Sequence, residues 1–158
     1  SNIPFLGLLF LFGCNTTVTL TPAEPTPLRS GVFSGTVTCE IRTTSPSGEQ
    51  TTTQNTQSTI YEISERGVPI VQGTEINVDQ SVQLEGIEVT YTRIAPTENG
   101  IIVHGNVSGS VNSVTFSGLS VVTLTNADGE AIEFSGTQSS TDSGGFAYNS
   151  ECTGLLQP

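Results

Sequence analysis

Three cysteines, one histidine and a few carboxylates are the residues of this chain with the capacity for chemistry. Cys14, Cys39 and Cys152 could pair, bind a metal or carry a modification. A structural zinc site needs four nearby ligands. His104 is the sole histidine and no Cys-x-x-Cys spacing occurs, so no metal site is expected. His104 alternates with Val103, Gly105 and Val107 and stands beside Asn106 and Ser108. With no Gly-x-Ser-x-Gly elbow, it reads as a surface residue rather than a general base. Asn126, Asp128 and Glu130 offer oxygens that could meet Ca²⁺, but their loop is shorter than an EF-hand and fits a hairpin turn better. No cofactor is expected.

Asp142-Ser143-Gly144 resembles the Asp-Ser/Thr-Gly signature of aspartic proteases, in which two copies meet to share one proton. One copy is present here, and Ser139-Ser140-Thr141 precedes it where that family has an apolar strand. A plain turn is the expectation, and a hydrolase is the remote alternative. The chain is therefore read as non-enzymatic.

Composition narrows the partners. The formal net charge is −11, set against four cations, Arg29, Arg42, Arg66 and Arg93, with no Lys. Nucleic acid is excluded, because binding its backbone requires a basic stripe that displaces counterions. The acids are scattered rather than clustered, which serves solubility. Hydrophobic residues make up 34% of the chain, too many for full disorder and too few for a membrane bundle. Abundant Thr, Ser and Gly suit short strands joined by polar turns.

The first segment reads as an address. Ile3 to Gly13 is apolar and uncharged. At about 11 residues it is too short to span a bilayer, and it matches the apolar region of a secretory signal. Leu11-Phe12-Gly13-Cys14 resembles the bacterial lipobox. That resemblance implies cleavage before Cys14 and a diacylglycerol thioether on its sulfur, hence a partner in the membrane itself. Phe12 is bulkier than the residue usual there, and with no initiating Met or basic n-region, further residues are expected ahead of Ser1. Asn15, not Asp, at the second mature position resembles lipoproteins sorted to an outer membrane, so the chain is expected at an outer membrane or cell surface. Residues 1–13 are thus a signal, 14–30 a lipidated Cys and a Thr/Pro-rich tether, and 31–158 the folded domain. The competing reading makes residues 3–13 a buried element of the domain.

From Gly31 onward apolar residues alternate with period two and no helical stripe appears. Phe33, Gly35, Val37, Cys39 and Ile41 share a face. Residues 43–57 read as a polar excursion around Ser45-Pro46-Ser47-Gly48, followed by strands near 59–64, 70–78, 87–91, 101–109, 114–124, 132–136 and 146–152. About eight strands with short links predict an all-β, antiparallel up-and-down barrel, with a β-sandwich as the alternative. Phe-Ser-Gly recurs at 33–35, 116–118 and 134–136. Gly inside a strand weakens it, so the recurrence points to sharp coiling or close backbone approach.

The Gly-rich hairpin from Val103 to Phe116 resembles that of small lipocalin-like barrels in uncharacterised bacterial lipoproteins. The resemblance implies a closed barrel around a small apolar interior. Phe33, Val37, Val103, Val107, Phe116, Phe134 and Phe146 are the candidate lining residues for a small apolar ligand. Side chains that fill the interior completely are the equal alternative, leaving an envelope interaction protein that acts through 43–57 or a strand edge. With Cys14 lipidated, Cys39 and Cys152 remain, on the first and last strands and on apolar faces. In a closed meander those strands are neighbours, and an oxidising compartment predicts a Cys39–Cys152 disulfide, with two buried thiols as the alternative.

Overall fold

The structure, a computed structural model, describes residues 24–158. Cys14 and the signal and tether readings up to residue 23 lie outside the described residues. Among those described, ten strands form one antiparallel sheet curled into a half-barrel. They are β1 (Gly31–Thr44), β2 (Gln50–Ile63), β3 (Pro69–Val71), β4 (Thr74–Glu75), β5 (Ser81–Leu84), β6 (Ile87–Thr97), β7 (Gly100–Val111), β8 (Val114–Asn126), β9 (Ile132–Asp142) and β10 (Ala147–Gln157).

The sheet order is β4-β3-β2-β1-β10-β9-β8-β7-β6-β5. Every strand therefore lies beside its neighbours in sequence, except that β4 and β5 are not paired, and the first and last strands meet in the middle. β1 and β10 pair from Ser34–Gln157 to Thr44–Ala147. The ladder does not close, because the chain turns through residues 76–80 between two very short strands. The count of ten exceeds the expected eight for two local reasons. The stretch 70–78 is not one strand: Gln72 and Gly73 take positive φ values of 52° and 80° and fold it into a tight hairpin. The second addition is β5, a strand of four residues whose period-two signal is too short to read.

The polar excursion at 43–57 is also a correction. Only residues 45–49 turn, and Gln50 onward is strand, paired with β1 from Thr44–Gln50 to Gly31–Ile63. Over residues 50–58 its Thr-rich sequence has strand propensity but no apolar alternation, because neither face is covered there.

The concave face carries the core. Leu124, Ile132 and Leu156 have no exposed surface and Val37 has 1%. Phe33, Cys39, Ile63, Tyr91, Ile101, Val103 and Phe134 pack with them. A Cβ on Gly35 would collide with the carbonyl of Leu155, and one on Gly118 with the carbonyl of Ser139. The Phe-Ser-Gly repeats at these two positions thus sit where neighbouring strands coil too tightly for a side chain. In β6 a bulge between Tyr91 and Arg93 bends the strand and returns Ile94 to the concave side.

Candidate functional site

Three places in the fold gather groups that could act: one end of the half-barrel, the turn between β9 and β10, and the free edge of β2.

At the end where β1 begins, the last residues of the expected tether are part of the packed structure. The backbone N–H of Thr26 donates to the carbonyl of Glu98 at 2.9 Å. Leu28 is buried beneath the Ser64–Val68 turn. The guanidinium of Arg29 donates to the carbonyls of Ala127 and Ala131, both at 2.7 Å, which caps the β8–β9 turn. Asn126 accepts from the Arg29 N–H at 2.8 Å and donates to the carbonyl of Pro27 at 2.9 Å and to Oδ1 of Asn99 at 3.0 Å. Residues 26–29 form a strap, and the packed domain starts ahead of the boundary expected at Gly31. Nothing in a Thr/Pro-rich sequence foretells this, since the partners lie far along the chain and are chiefly backbone groups.

Between the strap, the Ser64–Val68 turn and the β6–β7 hairpin lies a cavity of about 310 Å³. Leu28, Val68, Ile94, Ala95, Pro96 and Ile101 make its wall mostly apolar, with Arg66 among the lining residues. The guanidinium of Arg66 is paired with Glu75 at 2.8 Å, which lowers the Glu75 pKa through hydrogen bonding.

The Asp142-Ser143-Gly144 triplet is a turn. Oδ1 of Asp142 accepts from the N–H of Gly144 at 2.8 Å and of Phe146 at 3.0 Å, and Oδ2 accepts from the Tyr148 hydroxyl at 2.7 Å. These bonds, the Tyr148 one foremost, hold the carboxyl below its ordinary pKa and raise that of Tyr148. Both carboxylate oxygens are occupied in fixing the turn.

The third place is β2. It has fourteen residues, pairs with β1 along its whole length, and pairs with β3 only at Glu62 and Ile63. Residues 50–58 are all exposed. Among the described residues the outer edge from Gln50 to Tyr61 has no strand beside it. No Asp, Glu, Lys, Arg or Pro occurs in that stretch.

The seven lining residues divide. Phe33, Val37, Val103, Val107 and Phe134 are buried on the concave face. Phe116 is half-buried near the opposite end. Phe146 does not join them: it stands in the β9–β10 turn, 38% exposed, beside Thr43, Ser45, Glu49 and Thr51. Its strand begins one residue later, at Ala147, so the alternation that placed it inward does not reach it. Cys39 and Cys152 are direct partners in the β1–β10 ladder and form a disulfide. His104 stands on the convex face between Arg93 and Val121. It is less exposed than expected, with Nε2 buried and without a hydrogen-bond partner among the described residues. No group of three or more His, Cys, Asp or Glu suited to a metal occurs among the described residues.

A strand edge enters the sequence reading only in general terms. The signal for β2 is nonetheless there, as an uncharged Thr/Gln/Asn run too long for a hairpin loop. No protein-family model, curated protein or solved structure matches the chain to a significant degree.

Proposed function

We propose that this is an exported, lipid-anchored envelope protein that acts by binding rather than catalysis, and that its binding element is the free edge of β2. The observation that carries the reading is the length of uncharged edge from Gln50 to Tyr61 that has no strand beside it among the described residues. Folded proteins blunt such edges with Lys, Pro, bulges or very short strands. The two outermost strands of the sheet follow that rule, since β4 has two residues, β5 has four, and the Gln72 side chain donates to the Gln83 carbonyl at 2.9 Å. An edge left bare beside one so managed is suited to adding a strand. The packed concave face supports the same reading, because Leu124, Ile132, Leu156 and Val37 occupy the space a central ligand would need.

The anchor rests on Leu11-Phe12-Gly13-Cys14 and the apolar run before it. The half-barrel is read as a lipocalin-like meander opened between β4 and β5, supported by its sequential strand order and by the β1–β10 seam. Intact mass of the protein from its native membrane tests the anchor: cleavage before Cys14 with added acyl chains is expected, and residues 1–13 retained without acyl mass would end that reading. Binding of an extended Thr/Gln/Asn-rich peptide, lost when Lys is placed on β2, tests the edge.

A second reading is favoured by the cavity at the strap, whose volume of about 310 Å³ falls at the lower end of small-molecule sites. There a small apolar ligand binds at the end of the half-barrel instead of in its centre. An apolar fluorescent dye displaced by Val68→Trp, which fills the cavity, is the expected result; dye binding unchanged by that substitution would reject it.

A further inference from the structure

Resting on the edge reading above, we infer that the occupant of the β2 edge is the β2 edge of a second copy of this chain, in a two-fold antiparallel pair that joins two half-barrels into one continuous sheet.

Charge is the first argument. Two copies each carrying −11 repel one another over most of their surfaces. The β2 edge from Gln50 to Tyr61 is free of charge, so β2 against β2 places no like charges opposite one another across that stretch. Nearby acids, Glu49 and Glu62, stand at the two ends of the run, outside it.

Self-complementarity is the second. A two-fold axis perpendicular to the sheet pairs residues whose numbers sum to an even value, so concave-face residues meet concave-face residues and the two curvatures continue. Centred on Asn55, the pairing sets Asn55 against its own copy, Thr53 against Gln57 and Thr51 against Thr59. These lie on the face of β2 that neighbours Ile41, Cys39 and Val37 on β1. On the convex face Gln54 meets Thr56, Thr52 meets Ser58, and Gln50 meets Ile60. Ile60, 71% exposed, thereby gains a neighbour across the interface. Hydroxyl and amide side chains on both faces hydrogen-bond with their own kind, so one sequence serves as both halves of the interface.

Sedimentation of the full chain, alone and as Gln54→Lys/Thr56→Lys, tests the pairing. The two substitutions introduce the sheet-edge charge that the native strand lacks, and in the pair each new ammonium at position 54 faces one at position 56 of the other copy. A dimer is expected for the parent and a monomer for the double variant, with unchanged far-ultraviolet circular dichroism. Asn55→Cys supplies a second readout: a disulfide joining position 55 to position 55 of the other copy, identified by peptide mass. A dimer that survives the double variant overturns the inference, because another surface then holds it. A monomeric parent that binds a synthetic peptide of residues 50–61, with binding lost in the double variant, also overturns it while leaving the edge reading intact. A monomer indifferent to that peptide overturns both. A monomer that binds the peptide only once residues 1–23 are removed assigns the edge to the chain's own leading segment and overturns the second copy.

Discussion

The backbone N–H of Arg29 donates to Oδ1 of Asn126 at 2.8 Å, tying the strap ahead of β1 to the last residue of β8. The same Asn126 side chain donates to Pro27 and to Asn99, so one amide joins three segments. Asn126→Ala removes all three bonds. The bonds to Arg29 and Asn99 are partly buried and contribute about 1 kcal/mol each, the exposed one to Pro27 less, so a loss of about 2 kcal/mol is expected. Amide exchange should accelerate at Thr26 and Arg29 while the centre of the sheet stays protected; protection unchanged at both amides would show that the strap is held elsewhere.

Tyr61 packs against Phe134 with ring centroids 5.9 Å apart, and burial, with Tyr91 nearby, pushes its hydroxyl up to about 12. The raised value means that the fold prefers the protonated phenol. Its contribution is fully present below the unfolded tyrosine value of about 10 and is lost as pH rises toward about 12, amounting to about 2–3 kcal/mol at the end of that window. Denaturant midpoints measured across the window should fall, and fall less steeply in Tyr61→Phe. Equal slopes in the two proteins would count against the assignment, although burial raises Tyr91 in the same direction and leaves a residual slope.

The β7–β8 hairpin turns through Asn112 and Ser113, at φ 50° and 67°. Such a two-residue turn requires positive φ at both positions, and Gly is favoured at the second. The Gln72-Gly73 and Glu85-Gly86 turns follow that preference; Asn112-Ser113 does not. Ser113→Gly should therefore stabilise the protein by about 0.5–1 kcal/mol, offset in part by the added freedom of the unfolded chain. Thermal melting checks the sign, and a lowered midpoint would mean that the side chain matters more than its backbone strain.

Cys39 and Cys152 are separated by 113 residues in sequence, so their bond restricts the unfolded chain over most of its length. Cys39→Ala/Cys152→Ala should cost roughly 2–4 kcal/mol, and reductant should lower the parent's denaturation midpoint but leave the double variant's unmoved.

Much of the sheet was legible because most of the long strands, β2 excepted, bury one face. Phe33, Val37 and Cys39 on β1, and Ile101, Val103 and Val107 on β7, alternate with more exposed residues, and the structure places them on the concave side. The cysteine pair followed from the same alternation, together with the adjacency of first and last strands. Where burial stops, so does the signal. β2 has strand geometry along Gln50–Gln57 yet no apolar residue there, and β3, β4 and β5 are shorter than a readable period. Phe146 marks the other failure, a large apolar residue placed inward by carrying the β10 alternation one residue past the strand, into a turn held by Asp142. The strap was hidden because its partners, Asn126, Ala127 and Ala131, are distant in sequence and offer mainly backbone carbonyls and a single amide.

The β1–β10 seam also decides how the molecule bears load. Its two terminal strands lie side by side in the middle of the sheet, and their cysteines are joined. Tension applied between the chain ends can draw out the residues before Cys39 and those after Cys152, and then reaches a covalent bond. The 113-residue separation behind that bond bears none of the pull. Pulled at both chain ends, the molecule would give up those two flanking segments first, while β2 to β9 lie behind the bond, between the two cysteines.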